Sequence, residues 1–148
     1  MCFMLTVSAA YVATVPEQIA PELKNQDFSQ ADIAKVVDLL DQYDLTARTF
    51  VQSFTPGVLA RVHDVRPGLP TVLASRTPPS VSAIRGSGST RVAVDMVGLT
   101  ATQVALYKRH GLKVWGFTAL NRAGLVTAHS LGVSAVVTDV PRQARNYY

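Results

Sequence analysis

Cysteine is almost absent from this chain of 148 residues, whose single cysteine is Cys2. An internal disulfide is therefore excluded, although one cysteine says little about the compartment. Long apolar runs are also lacking, and since no stretch reaches 18 apolar residues we expect no membrane span. The apolar start, MCFMLTVSAAYVA, has no basic residue before Lys24, so it is better read as part of a core than as a secretory signal. The location, cytoplasmic or periplasmic and secreted, stays open.

Charge is scarce as well, because only 16% of the residues are charged. Fourteen Lys and Arg oppose ten Asp and Glu, which gives a formal net charge of +4, and the basic residues form no run of three. We expect a weak preference for anionic small molecules and no nucleic-acid partner. A hydrophobic content of 48% is typical of a globular α/β protein, and the chain contains no linker, so residues 1–148 are expected to form a single domain.

Short apolar runs recur along the chain, most of them rich in valine and bounded by Gly, Pro, Ser or Asp. Buried parallel strands have this pattern. After the first gap their starts are about 20 residues apart. The six predicted strands are IAPEL (19–23), TFVQSF (49–54), PTVLAS (70–75), RVAVDM (91–96), KVWGFT (113–118) and SAVVTD (134–139).

Helical patterns separate several of these strands. Residues 29–43 begin with a Ser-x-x-Asp capping pattern and residues 100–111 with a Thr-x-x-Gln pattern, each followed by an apolar face. Residues 121–132 end on Gly132, which suits the residue after a helix, and a shorter helix is predicted at 55–64. The loosest segment, 75–90, is expected to be a long loop or to hold a degraded helix.

Alternating strands and helices predict a parallel sheet with right-handed crossovers. A doubly wound sheet would be complete at this length, whereas a (β/α)8 barrel typically needs about 250 residues. Six strands at barrel spacing would be the last six of eight. No G-x-G-x-x-G follows any strand, so a dinucleotide-binding fold lacks its phosphate-binding loop.

The strand ends, taken together, carry a resemblance. They read PELK (21–24), VQSF (51–54), VDM (94–96), HGLKVWGFTALN (110–121) and LGVSAVVTDVP (131–141). In order and spacing this resembles the glycerophosphodiester phosphodiesterase family, over about residues 19–142. The resemblance implies a partial (β/α)8 TIM barrel of about six βα units that lacks the first two strands.

The same resemblance implies missing chemistry. Family members open with a His-Arg-Gly strand, a Glu-x-Asp strand and a His-Asp loop, which supply the acid–base histidines and most of the metal ligands. Those segments have no counterpart here. His63, His110 and His129 do not replace the lost pair, because they lie on predicted helices or helix ends, outside and below the catalytic rim of a barrel.

Glu22 and Lys24 are two residues apart, so on a strand they share one face. The resemblance implies that Glu22 is the third carboxylate ligand of a divalent metal, Ca²⁺ or Mg²⁺, and that Lys24 contacts the substrate phosphate. An exposed strand-end carboxylate and a surface ion pair of little energetic weight are the plainer alternatives.

The resemblance implies that aromatic residues and one amide bind the substrate. Phe54 either lines the pocket or packs in the barrel core. Trp115 and Phe117 share a face and together would form an aromatic floor. The family pattern is Trp-Thr-x-Asn, but here Phe117 precedes Thr118 and Asn121 follows three residues later, so the register of this segment is open.

Three further polar residues follow strands. Asp95 is as well suited to face the site as to cap the following turn. Arg76 is expected to be exposed to solvent, although it could reach a phosphate. Asp139, two residues before Pro141, is better explained as a turn cap than as a ligand of a phosphate site.

The function implied is metal-dependent hydrolysis of glycerophosphodiesters to glycerol 3-phosphate and an alcohol. We expect the 148 residues alone to be nearly inactive, and their open sheet edges to favour pairing with the missing N-terminal segment. The rival interpretation is a complete, non-catalytic α/β domain that binds an anionic ligand or a protein. The preferred alcohol, the metal, the compartment and the oligomeric state are not determined by the sequence.

Overall fold

The computed structural model describes residues 18–24 and 27–147. The predicted N-terminal core segment at 1–13, which includes Cys2, lies outside these residues. Within the described part, no helix is both long enough and apolar enough to cross a lipid bilayer.

Strands and helices alternate along the chain. The strands are β1 (Val51–Ser53), β2 (Thr71–Ser75), β3 (Arg91–Asp95), β4 (Lys113–Ala119) and β5 (Ala135–Thr138). The helices are α1 (Gln30–Gln42), α2 (Pro56–Val65), α3 (Val81–Gly86), α4 (Ala101–Arg109), α5 (Arg122–Leu131) and α6 (Pro141–Ala144), with a 3-10 turn at Thr46–Arg48.

The five strands are parallel and lie in the sheet in chain order, β1-β2-β3-β4-β5. A doubly wound sheet reverses its strand order at a switch point, whereas a barrel adds each strand beside the previous one. The order therefore excludes the doubly wound alternative for the described residues and confirms the partial barrel.

The first predicted strand, at 19–23, lies parallel to β1 but forms two isolated bridges, Ile19 with Thr49 and Glu22 with Gln52. Backbone hydrogen bonds join it to residues 50–52. Phe50 N–H donates to Ile19 O, Gln52 N–H donates to Pro21 O, and Leu23 N–H donates to Gln52 O. Pro21 has no N–H to donate back, so the ladder is interrupted at that residue.

The sheet is strongly curved. The ring centroids of Phe50 and Trp115 are 5.6 Å apart, and those of Phe54 and Phe117 are 5.9 Å apart. Each pair joins a residue that directly flanks β1 to β4 across two intervening strands, which in a flat sheet would separate the backbones by roughly 14 Å. Only a sheet curled toward a barrel brings these side chains into contact.

Apolar side chains on the two faces of the sheet form two separate clusters. The helices cover the convex face, where Val51, Leu73, Val94 and Val114 are buried against residues such as Ile33 of α1. On the concave face, Val72, Ala74 and Ala93 are buried under Phe50, Trp115 and Phe117. The cluster is small in part because Ala74 and Ala93, at the centre of this face, contribute little side-chain volume.

The helix boundaries follow the capping signals in the sequence. Ser29 with Asp32 and Thr100 with Gln103 both form reciprocal capping boxes. Gly132 ends α5 in the left-handed region at φ 73°. The loose segment at 75–90 does hold a short helix, α3, whose N-cap Ser80 accepts a hydrogen bond from Ala83 N–H.

Candidate active site

The carboxyl ends of the strands carry the predicted site residues. Glu22 forms a parallel bridge with Gln52, so both side chains project from the concave face. Leu23, between Glu22 and Lys24, is 4% exposed and packs in the convex-face core. Alternation therefore puts Lys24 on the concave side with Glu22, as the sequence predicted.

Glu22 and Lys24 are both exposed. The salt bridges of Lys35 with Asp32, at 3.6 Å, and of Arg66 with Asp41 lie on the helical side, and neither includes Glu22 or Lys24. The two strand-end charges are therefore not held by one another in an ion pair. Both project into the region in front of the concave face.

Alternation along β1 separates Gln52 and Phe54 from Ser53. Ser53 is fully buried, and its hydroxyl donates to Leu23 O at 2.7 Å, which fastens the Glu22 segment to β1. The same hydroxyl accepts from Thr55 N–H at 3.1 Å. Phe54 is 42% exposed at the rim, with one side of its ring against Phe117.

Trp115 and Phe117 both lie on the concave face, as their spacing predicted, and each contacts a phenylalanine from the β1 side. The pairing of β4 with β5 shifts register between Gly116 and Ala119. This irregularity falls within the segment that departs from the family's Trp-Thr-x-Asn spacing.

Asn121 is the N-cap of α5, and its Oδ1 accepts a hydrogen bond from Gly124 N–H at 3.0 Å. The side chain is exposed at the carboxyl end of the sheet. The capping bond uses only the amide oxygen, so Asn121 can cap the helix and still offer its amide nitrogen as a donor. Its role as a substrate ligand stays a prediction.

Asp95 caps the turn after β3 and also lies on the concave face. Its Oδ1 accepts from Val97 N–H at 3.0 Å, which shapes the turn after β3. It also lies in register with Phe117 on β4, so it shares the concave face. Arg76 and Asp139 are exposed, as expected for Arg76.

Phe50 and Arg91 also lie on the concave face, although the sequence analysis did not identify them. The Arg91 guanidinium lies over the Phe50 ring, 4.5 Å from its centroid. Strand alternation already places Phe50 on the same face as Gln52 and Phe54, so that signal was available. The contact of Arg91 with Phe50 could not be predicted in this way, because the two residues are 41 positions apart and β2 lies between them in the sheet.

The chain matches the sequence model of the Glycerophosphoryl diester phosphodiesterase family over residues 9–143. It belongs to this family. Over 114 residues it is 29% identical to a glycerophosphodiester phosphodiesterase of Bacillus subtilis (strain 168), covering 70% of this chain but 37% of that enzyme.

Solved structures agree in fold. A protein of Silicibacter pomeroyi assigned as a glycerophosphoryl diester phosphodiesterase superimposes with a TM-score of 0.80 at 23% identity, over 99% of this chain and 55% of that one. An Oleispira antarctica phosphodiesterase, solved with the product sn-glycerol-3-phosphate, gives a TM-score of 0.78 at 21% identity, over 88% and 54%. The chain thus spans about half or less of these relatives.

Phosphodiesterases of this family are generally metal-dependent. Within the described residues, no three His, Cys, Asp or Glu side chains lie together as a metal-binding group. Calcium takes six to eight oxygen ligands and magnesium needs an octahedron. Glu22 with the neighbouring Gln52 amide does not meet either requirement, so the described residues do not by themselves fit a complete metal site.

The three histidines of this family member lie away from the concave face. His63 is on α2, His110 is the C-cap of α4 and His129 is in the last turn of α5. His63 Nε2 is 3.2 Å from the hydroxyl of Thr71, which begins β2 and so marks the amino ends of the strands. The helical positions are those that the sequence predicted, and the absence of a catalytic role for these histidines stays a prediction.

Proposed function

We propose that all 148 residues form one unit, the C-terminal part of a glycerophosphodiester phosphodiesterase barrel. The intact barrel hydrolyses a glycerophosphodiester to glycerol 3-phosphate and an alcohol. The observation that carries this proposal is the placement of Glu22 and Lys24 at the carboxyl edge of a chain-ordered parallel sheet, on its concave face. Active sites of (β/α)8 enzymes lie at this edge.

Lys24 supplies a positive charge for a phosphoryl oxygen, which a lysine contacts as a point charge. Glu22 contributes one carboxylate to a Ca²⁺ or Mg²⁺ site whose other ligands are not among the described residues. When bound, such an ion stabilises the negative charge that develops on the phosphodiester. Phe54, Trp115 and Phe117 line the adjoining wall and exclude water from the bound ester, while Asn121 offers an amide at the rim.

We also propose that this chain alone turns over little or no substrate. General acid–base hydrolysis requires a positioned proton donor and acceptor near the scissile bond. The histidines of this chain are on helices or at their ends. The missing groups would come from an N-terminal segment that pairs beside the Glu22 strand and continues the barrel.

The decisive test measures hydrolysis of glycerophosphocholine with Ca²⁺ or Mg²⁺ present. The 148-residue chain is assayed alone and then fused to the first two βα units of a family member. We expect activity only in the fusion, and a loss of about 100-fold or more in kcat for Glu22→Gln, in line with the loss of a metal-supporting group. Asp38→Asn, an exposed acid on α1, is the matched control.

Two results would contradict the proposal. A fusion that folds but has no activity would favour the rival, a non-catalytic domain that binds an anionic ligand or a protein. A fusion in which Glu22→Gln is as active as Asp38→Asn would remove the metal role of Glu22 and leave the rest standing.

A further inference from the structure

Charge is distributed very unevenly along the chain. Residues 66–148 contain ten Arg and Lys but only two acids, Asp95 and Asp139, whereas residues 1–65 contain four Arg and Lys and eight acids. Asp95 ends β3 and Asp139 directly follows β5, so both of these acids lie at the carboxyl ends of strands. The segments that lead into β3, β4 and β5, residues 85–91, 108–113 and 131–135, contain no acid. The amino ends of these three strands are therefore free of negative side chains.

Five cations lie at these amino ends. Three are in the last turns of α3 and α4, because both helices run back from the carboxyl ends of the strands and end at this edge. The other two are the first residues of β3 and β4, which are partners in the parallel ladder. The five residues, which we call the basic edge, are Arg85, Arg91, Lys108, Arg109 and Lys113.

Contacts between neighbouring elements make the basic edge continuous. Arg85 Nη2 donates a hydrogen bond to His110 O at 3.2 Å, which joins the end of α3 to the end of α4. A Cβ built on Gly132 would lie 3.8 Å from Lys108 Nζ, so this ammonium group is next to the residue that ends α5. The basic edge therefore extends from α3 to the segment that enters β5.

No carboxylate of the described residues neutralises this charge. The salt bridges given above include no member of the basic edge, and four of the five side chains are exposed, with Arg91 half-buried against the Phe50 ring. The three helix-end cations have a local role, because cations stabilise the negative end of a helix dipole. Arg91 and Lys113 have no such role, and like charges directly opposite one another on a sheet are destabilising. An external anion would remove this cost.

The form of the basic edge fits a surface better than a rod or a single strand. Its cations come from the ends of two helices and the starts of two strands, so they occupy one broad end of the barrel. Duplex DNA is read by an element that enters a groove, and single strands stack on exposed aromatic rings. Phe50 and Trp115 face the concave side instead, and Tyr107 is 2% exposed.

We propose that the basic edge binds the surface of a bilayer that contains anionic phospholipids, through the phosphates of their head groups. The edge that carries Glu22 and Lys24 is at the opposite end of the strands and then faces the water. A glycerophosphodiester is a glycerophospholipid without its acyl chains, so the deacylation of bilayer lipids supplies the substrate at that same surface; this part rests on the proposed function. Bilayer binding itself requires neither metal nor hydrolysis.

Cosedimentation with sucrose-loaded vesicles tests the proposal on the 148-residue chain. One set of vesicles contains phosphatidylglycerol and phosphatidylcholine at a ratio of about 3:7, and the other contains phosphatidylcholine alone. We expect saturable binding to the anionic vesicles only, at about 0.1 M NaCl, where the Debye length is about 10 Å. Raising the salt to about 0.5 M should release the chain, because the exposed charges are then screened.

Paired variants separate the position of the charge from its amount. Lys108→Gln combined with Arg109→Gln should lower the vesicle partition coefficient about 25-fold, which is about fivefold for each charge. Arg142→Gln combined with Arg145→Gln removes the same charge from exposed positions after β5 and should change the coefficient less than about twofold. Lys108→Arg combined with Arg109→Lys keeps the charge and should keep the binding. Circular dichroism checks that each variant is folded.

Equal binding to the two sets of vesicles, or an equal loss in the two glutamine double variants, would overturn the proposal. Release of the chain from the vesicles by a DNA duplex at equal phosphate concentration would identify nucleic acid as the partner and also overturn it. In the completed barrel, the Lys108→Gln and Arg109→Gln double variant should keep its kcat/KM for glycerophosphocholine in solution. Vesicle binding without hydrolysis would retain the basic edge and remove the proposed enzyme, and hydrolysis without vesicle binding would do the reverse.

Discussion

At the scale of single residues, Gly88 is the glycine at which an added Cβ would make the closest contact. Its φ is +76°, and a Cβ there would lie 2.3 Å from His63 Cδ2. The His63 ring cannot swing away freely, because Nε2 is 3.2 Å from the Thr71 hydroxyl, which is itself 2.9 Å from the buried Ser89 hydroxyl. A glycine is required both by the backbone and by the imidazole that covers it.

We therefore expect Gly88→Ala to lower the free energy of unfolding by about 2 kcal/mol or more, from left-handed strain and displacement of His63. Urea denaturation followed by circular dichroism measures this. Gly68→Ala is the matched control, since a Cβ at Gly68 meets nothing within 4 Å. Equal stability of the two variants would show that neither the left-handed backbone at position 88 nor the displacement of His63 lowers the free energy of unfolding.

At the scale of secondary-structure elements, α1 begins at a complete capping box. The Ser29 hydroxyl accepts from Asp32 N–H at 3.2 Å and donates to Asp32 Oδ2 at 2.7 Å, and Ser29 N–H donates to the same oxygen at 3.1 Å. These bonds, the side-chain one first, hold the pKa of Asp32 below its usual value of 3.8. The carboxylate and the helix start therefore stabilise one another.

Ser29→Ala should destabilise the chain by about 1 kcal/mol and return the pKa of Asp32 toward 3.8. A lowered folded-state pKa stabilises the protein above the unfolded pKa, and this contribution is lost as the pH falls through the folded pKa. The difference between wild type and variant should thus shrink below about pH 4. Carboxyl NMR titration checks the pKa, with Ser130→Ala on the exposed side of α5 as control.

At the scale of the whole molecule, curvature depends on small residues at the centre of the concave face. Ala74 on β2 and Ala93 on β3 are 2% and 0% exposed, directly beneath the rings that meet across them. Larger side chains there would occupy the space in which Phe50 contacts Trp115 and Phe54 contacts Phe117. The alanines thus permit the aromatic contacts that join the β1 and β4 sides of the sheet.

Replacing Ala93 by Leu should cost about 1–3 kcal/mol by overpacking and should separate the ring pairs. Trp115 is the sole tryptophan, so its fluorescence emission reports that separation together with the stability. Ala123→Leu, on the exposed surface of α5, should change neither property. If Ala93→Leu changed neither the tryptophan emission nor the free energy of unfolding, the concave face would have enough space for a leucine and the prediction would be wrong.

Local signals in the sequence were sufficient for most elements. Valine-rich runs predicted the five strands, and the capping patterns at Ser29 and Thr100 marked the starts of α1 and α4, because these features act over three or four neighbouring residues. The first strand was predicted too regularly. Pro21 has no N–H, so it interrupts the hydrogen-bond ladder between this strand and β1. The predicted strand did not take this missing donor into account.

The sequence by itself determined the family, the chain order of strands and helices, and the shared face of Glu22 and Lys24, since alternation is a property of one strand. Tertiary structure alone decided which residues meet across the curved sheet. Phe54 reaches Phe117 because the two strands between them, β2 and β3, carry alanines on the concave face and the sheet curves. Arg91 reaches Phe50 across β2. Contacts of that range depend on sheet curvature, which no local pattern of residues encodes.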